Sequence, residues 1–191
     1  MAGRKAAKRL TVAMEGEALF EVKPRTKPLT LRAFIEATLG RAYDWPQLHA
    51  RLVAAVERWM LGEAPRGHKN NLMVMMPVRH GKSTLMSQLL PAYEFGLHAS
   101  GARPYMVIEA CYNLEQAAEM NAGTRRLVRG DGFERLFPAL RFDSDCENRR
   151  EFNLERDGRL VGVYRAAGVD SGINGKGAHL LVMDDVLKGR N

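Results

Sequence analysis

The chain has 191 residues, of which 46% are hydrophobic and 27% charged, and a formal net charge of +7. That length gives one core, or one core with a small appended element, and no apolar run approaches the roughly 20 residues that would span a bilayer. The basic N-terminus has no apolar stretch and cleavage pattern behind it, and Cys111 and Cys146 have no second CxxC or His partner nearby, so a cytoplasmic chain with reduced thiols and no cysteine metal site is expected.

The charge is unevenly spread. Residues 1–32 hold eight Lys/Arg (Arg4, Lys5, Lys8, Arg9, Lys23, Arg25, Lys27, Arg32) against Glu15, Glu17 and Glu21, so +5 of the +7 lies there. Such a segment can add phosphate contacts, although a basic end is more often simply solvated. Residues 1–28 read as poorly ordered, at best with a short strand around Ala18–Val22, because Pro24 and Pro28 interrupt the chain.

Leu29–Gly40 reads as a short helix that stops at the glycine. From Pro46 to Leu61 the residues Leu48, Leu52, Val56, Trp59 and Met60 recur at helical spacing, with Pro46 suited to the first helical position and Gly62 ending the run. After the polar turn Pro65–Asn71, the apolar run Leu72–Met76 reads as a buried strand of a parallel sheet. A helix over Lys82–Leu97 follows, with Leu85, Leu89, Leu90 and Tyr93 facing inward. Next come a strand over Pro104–Cys111 and a helix over Leu114–Val128, opened by the capping-box pair Asn113 and Gln116. Leu160–Arg165 and His179–Met183 are two further strands. Strands alternating with helices predict a three-layer α/β domain over 29–191 with a mostly parallel central sheet.

The most informative stretch is Met76-Pro-Val-Arg-His-Gly-Lys-Ser-Thr84, set between an apolar strand and an amphipathic helix. Gly81 allows a tight turn and close backbone approach to phosphate oxygens, and the positive end of the following helix cradles an anion. Lys82 reaches β- and γ-phosphates, Ser83 offers a hydroxyl to Mg²⁺, and Thr84 completes the helix start. Met76 stands where the usual phosphate-loop pattern has its first glycine. About a hundred residues on, His179-Leu-Leu-Val-Met-Asp184-Asp185 is an apolar run ending in two carboxylates. At the C-terminal edge of a parallel sheet such groups point into the ligand crevice. Asp184 is the expected Mg²⁺ ligand and Asp185 the residue that orients or deprotonates an attacking water. The bland alternative is a Gly-Lys-Ser at a helix start and a strand that merely ends on carboxylates.

Pro77 to Ser83 resembles the variant phosphate loop of bacteriophage large terminase subunits, the motors that package viral DNA. Gly172-Ile-Asn-Gly-Lys-Gly-Ala-His-Leu-Leu-Val-Met-Asp-Asp185 resembles that family's glycine-rich approach to its second motif. Phe133–Pro138 and the helix entry Cys111-Tyr-Asn-Leu114 are also similar, so the resemblance covers about residues 40–191. It implies an ATP- and Mg²⁺-dependent P-loop NTPase that drives double-stranded DNA into a procapsid. It also implies a homo-oligomeric ring on a portal, a small terminase subunit as partner, and the bacterial host cytoplasm.

Carried over by position, Lys82 and Ser83 would bind phosphate and Mg²⁺, and Arg79 would contact the γ-phosphate with its bidentate guanidinium. His80 reads as loop geometry. Asp185 falls where many such motors place a glutamate. For the family's trans-acting arginine the nearest residues are Asn174 and Lys176, neither of them an arginine. Trp45-Pro-Gln47 resembles the adenine-reading glutamine of related motors, while Gln47 equally suits a plain first-turn position and Trp45 a core anchor. In the wider class a strand following the second motif lies between the two motif strands. The chain stops six residues after Asp185, so a truncated ATPase portion without a nuclease domain, weak or inactive alone, is expected. The rival expectations are another P-loop ATPase, helicase-like or a small kinase, and a non-catalytic remnant that binds DNA or a motor subunit through its basic N-terminus.

Overall fold

A computed structural model describes residues 29–40, 43–62, 71–169 and 177–187. The basic segment 1–28 with its expected strand, most of the polar turn, and residues 170–176, with Asn174 and Lys176, lie outside the described residues. No described helix is long and apolar enough to cross a membrane.

Helix α1 (Leu31–Leu39) begins where the Thr30 hydroxyl accepts from the Ala33 N–H, and it ends at Gly40, whose φ is 90°. Helix α2 (Gln47–Met60) starts one residue later than the proline suggested: Pro46 is the residue before the first turn. Its buried face is Val53 and Val56, with Leu52, Trp59 and Met60 half-buried, whereas Leu48 is largely exposed. The next helix divides into a π-helical segment over Thr84–Leu89 and α3 (Leu90–His98), and Leu85, Leu89, Leu90 and Tyr93 are all buried as expected.

Strand β1 (Tyr105–Cys111) and helix α4 (Leu114–Val128) match their expected spans, and the Asn113 side chain accepts from the Gln116 N–H at 2.8 Å. A short helix α5 (Asp131–Leu136) leads to β2 (Arg141–Glu147), β3 (Glu151–Arg156), β4 (Arg159–Gly168) and β5 (Leu180–Asp184). The strands form one open sheet in the order β2-β3-β4-β1-β5. β4, β1 and β5 run parallel, while β2 and β3 are antiparallel additions. The fold is therefore α/β with a mixed sheet, parallel at its site-bearing side. The antiparallel pair was missed because Arg141–Glu147 is polar, yet a signal was present. Asp157-Gly158 joins β3 to β4 with φ of 52° and 71°, the doubly positive turn favoured in two-residue hairpins.

Two expectations need correction. Leu72–Met76 is not a buried strand: among the described residues, 71–77 pair with no other segment, and Met73 and Met75 are 83% and 87% exposed. An apolar run becomes a parallel strand only where neighbours supply its ladder, and here none does. Among the described residues β5 likewise pairs only with β1 and lies at an edge of the sheet. Second, α3, α4 and the π-helical segment contact the sheet, and α1, α2 and α5 pack on these helices and on one another. One helical layer is thus present among the described residues, not the two of a three-layer domain.

The sheet face toward these helices carries Val107, Glu109 and Cys111 of β1, with Tyr164 and Ala166 of β4 and Asp184 of β5 in register beside them. Phe152 and Tyr164 stack at 5.0 Å beneath Phe95, and Phe34, Tyr93, Phe133 and Phe137 form a second aromatic group. Burial of these side chains contributes about 1.5–3 kcal/mol each, which holds α3 and α4 on the sheet.

Candidate phosphate and metal site

Residues 78–81 turn between the unpaired extended segment and the helix start. Arg79 and Gly81 both have positive φ, 62° and 76°. For arginine this backbone costs about 1–2 kcal/mol, whereas glycine adopts it freely. Gly81 is constrained a second way, because a Cβ there would lie 3.1 Å from His49 Nε2. His49 of α2 itself holds the loop: its Nε2 lies 2.7 Å from the His80 carbonyl oxygen, and its Nδ1 lies 2.7 Å from the Tyr43 hydroxyl. A carbonyl only accepts, so Nε2 carries the proton and Nδ1 accepts from Tyr43. His80 Nδ1 turns back on the Val78 carbonyl at 2.8 Å, in keeping with a purely local role.

Lys82 and Ser83 begin the helix, and Thr84 is exposed at its surface. Within the π-helical segment the Leu90 N–H reaches back to the Leu85 carbonyl, five residues away. Such wide turns are rare in helices and frequent at functional sites.

The first and second motifs meet. Lys82 Nζ lies 2.6 Å from Asp184 Oδ1 and 2.9 Å from Asp185 Oδ1. Asp184 is 8% exposed at the end of β5, and the Ser87 hydroxyl donates to its Oδ2 at 3.2 Å. Burial alone would raise the Asp184 carboxyl, but hydrogen bonds from Lys82 and Ser83 and the charge of Lys82 outweigh it and hold the group below the usual carboxylate range. Burial pulls Lys82 downward, and the two carboxylates more than reverse that. Asp185 has φ of 48° and a side chain 76% exposed, so its arm of the pair contributes little to stability.

Among the described residues no group of three or more His, Cys, Asp or Glu gathers as a metal cage. Mg²⁺ does not ask for one in a nucleotide site, where one or two carboxylates suffice and phosphates and waters complete the octahedron. Asp184, with Ser83 close enough to lower its proton affinity, supplies the hard oxygen donors such an ion takes, so these residues fit it.

Of the remaining expected residues, Arg79 is exposed, and among the described residues no hydrogen bond or ion pair engages its guanidinium. Gln47 is exposed on the first turn of α2, two residues before the loop-holding His49. Trp45 is an anchor: the Arg32 guanidinium lies 4.7 Å over its ring, and Tyr43 packs edge-on at 5.0 Å. Sequence reasoning missed His49, Tyr43 and Ser87, which carry no motif spacing and become relevant only through proximity. Comparison with family models, curated proteins and solved structures finds no match.

Proposed function

We propose that this chain is the nucleotide-binding portion of a terminase-like DNA-packaging ATPase, taking ATP with Mg²⁺ at the Arg79–Thr84 loop. The observation that carries the reading is the meeting of Lys82 with Asp184 and Asp185 at 2.6 and 2.9 Å across about a hundred residues of sequence. A lysine beside a helix N-terminus and a buried carboxylate at a parallel strand end are the two halves of a phosphate–metal site.

In this reading Lys82 leaves the carboxylates for phosphate oxygens when nucleotide enters. Asp184 and Ser83 are then free to hold Mg²⁺, which would neutralise charge on the phosphates. Arg79, exposed in the loop, would add a bidentate contact to the terminal phosphate, and exposed Asp185 would orient water. Gln47 lies on the helix that His49 ties to the loop, which suits an adenine contact from the same side. Double-stranded DNA, a ring of identical subunits on a portal and a small terminase subunit belong to this proposal through the resemblance of Pro77–Ser83 and Gly172–Asp185.

One observation favours a variant in which the chain binds nucleotide and turns it over weakly. Among the described residues β5 is an edge strand and 71–77 pair with no strand, so the segments that carry the loop and Asp185 lack the rigid framing that water positioning needs. The test is titration with a fluorescent ATP analogue and Mg²⁺, with phosphate release followed in the same samples. Wild type binds, and Lys82→Ala weakens binding about a hundredfold, roughly 2.7 kcal/mol. Equal binding by both proteins would refute the proposal. Phosphate release at the rate of an assembled motor would refute the weak-turnover variant alone.

A further inference from the structure

The peptide that joins His80 to Gly81 has two possible orientations, and its own residues do not choose between them. Turning it over exchanges the directions of the His80 carbonyl and the Gly81 N–H, at the cost of a change in φ at residue 81. Glycine takes either sign of φ, so Gly81, whose φ is 76°, sets no barrier of its own. For an anion the two orientations are opposites. One presents an N–H, the other a carbonyl oxygen of repelling sign.

A side chain from another helix makes the choice. His49 Nε2 of α2 lies 2.7 Å from the His80 carbonyl oxygen, so that carbonyl is turned toward α2. The ring edge also fills the space a Cβ at residue 81 would take, 3.1 Å from it at Nε2 and 3.2 Å at Cε1. No described peptide is cis, and in a trans peptide the C=O and N–H point in opposite directions. The Gly81 N–H is therefore turned away from α2. The next peptide is fixed from the helix side. Its Gly81 carbonyl accepts from the Leu85 N–H at 3.0 Å, which sends the Lys82 N–H back out of the start of the helical run 82–98. Among the described residues no backbone carbonyl accepts from either N–H. Two neighbouring donors thus remain for a ligand at the positive end of that helix.

His49 can hold a carbonyl only through a protonated Nε2, and Tyr43 selects that tautomer. Its hydroxyl lies 2.7 Å from Nδ1 and donates to it. The opposite tautomer would set the Nε2 lone pair against the carbonyl oxygen. Tyr43 is itself anchored, by its N–H on the Gly40 carbonyl at 3.1 Å and by Trp45 packed edge-on at 5.0 Å. We infer that His49, held in one tautomer by Tyr43, is a positioning residue of the nucleotide site: it locks the 80–81 peptide with its N–H toward the phosphates of the ligand. The inference rests on the nucleotide-site reading above. It gives α2 a task on the phosphate side, separate from any adenine contact by Gln47.

Four proteins decide it: wild type, His49→Gln, His49→Ala and Tyr43→Phe, each checked for a cooperative thermal melt. The probes are the fluorescent ATP analogue with Mg²⁺ and Mg²⁺-tripolyphosphate, which has no base, read by displacement of the analogue. His49→Ala should lose about tenfold for both probes alike, because a peptide N–H meets phosphate and not adenine. Glutamine reaches as far as Nε2 and keeps an N–H there, so His49→Gln should stay within about threefold of wild type. Tyr43→Phe should lose about threefold, and long-range ¹H–¹⁵N spectra should show its His49 ring passing from the Nε2–H form to a mixture. The Gly81 amide proton should move downfield when tripolyphosphate binds wild type, and clearly less in His49→Ala. Glutamine failing as badly as alanine overturns the positioning role, as does a loss confined to the ATP analogue. So does an Nδ1–H tautomer of His49 in wild type, a result that needs no variant to fold. Wild type binding both probes with His49→Ala unchanged overturns this inference alone. Wild type binding neither probe overturns the nucleotide-site reading and the positioning role with it.

Discussion

Two apolar regions of this chain have similar composition and opposite fates. Phe95, Phe152, Leu154 and Tyr164 are all 0% exposed, because α3, β3 and β4 close on one another from three directions. Across the sheet, Met73, Met75 and Val78 precede the Gly81-Lys82-Ser83 turn and Met183 lies on β5, and all four are more exposed than buried. The difference lies in neighbours, not in residue type. The first region has a ladder on each side of β4, whereas among the described residues the second has an unpaired segment and an edge strand. The candidate site sits on the border, with Lys82 and Ser83 on a helix that is packed and a loop that is held by His49 alone of α2. Rigid support reaches the site from the sheet and helices behind it, and little reaches it from the open side.

The comparison breaks first at the core. Phe152→Ala should cost about 3–5 kcal/mol, read as a shift in the denaturant midpoint, because its stacked partner Tyr164 and neighbour Phe95 would face a void. A cost below about 1 kcal/mol would mean that this half of the sheet is not the stable one.

Next in size is the pH response of Glu109. Its carboxyl is raised in the fold from 4.5 to about 9, by burial first and the Asp184 charge second, with Ser87 opposing. A raised folded value means a contribution fully present below the unfolded value and lost as pH climbs toward 9. Relative to Glu109→Gln, wild type should therefore lose about 3 kcal/mol between pH 4.5 and 7. Parallel melting curves of the two proteins across that range would show that Glu109 is ionised or exposed.

A smaller effect sharpens the picture of the border. His49→Ala removes the donor to the His80 carbonyl and leaves the core intact, so the melt should barely move while nucleotide affinity falls about tenfold, roughly 1.4 kcal/mol. Unchanged affinity would mean that the loop needs no hold from α2. Smallest of all, Met75→Ala should change stability by no more than about 0.5 kcal/mol, since its side chain makes no core contact to lose. A large loss there would show that residues 71–77 do pack in solution.

Much of the scaffold was legible in the residues. α1, α4 and β1 carried local signals that act over a few residues: the Thr30 and Asn113 caps, the Gly40 stop and the apolar run before Cys111. The Gly-Lys-Ser loop and the Asp184-Asp185 strand end were legible for the same reason, since loop geometry and strand termination are local matters. β2 and β3 were not recognised, although the Asp157-Gly158 turn was in plain view. Leu72–Met76 shows the opposite failure. Its composition favoured a strand, but pairing is a property of two segments, and one segment cannot reveal whether another lies beside it.

The sequence by itself therefore determined the helix caps, the turn chemistry of the Gly81-Lys82-Ser83 loop, the α/β class and the residue types available at the candidate site. Only the tertiary structure decided which of them meet. It brought Lys82 onto Asp184 and Asp185, His49 onto the loop carbonyl, and the Ser87 hydroxyl onto Asp184. The reason is physical: capping and turn preferences are settled over three or four residues. Burial, proton affinity and ion pairing instead depend on groups that the fold brings together from far along the chain.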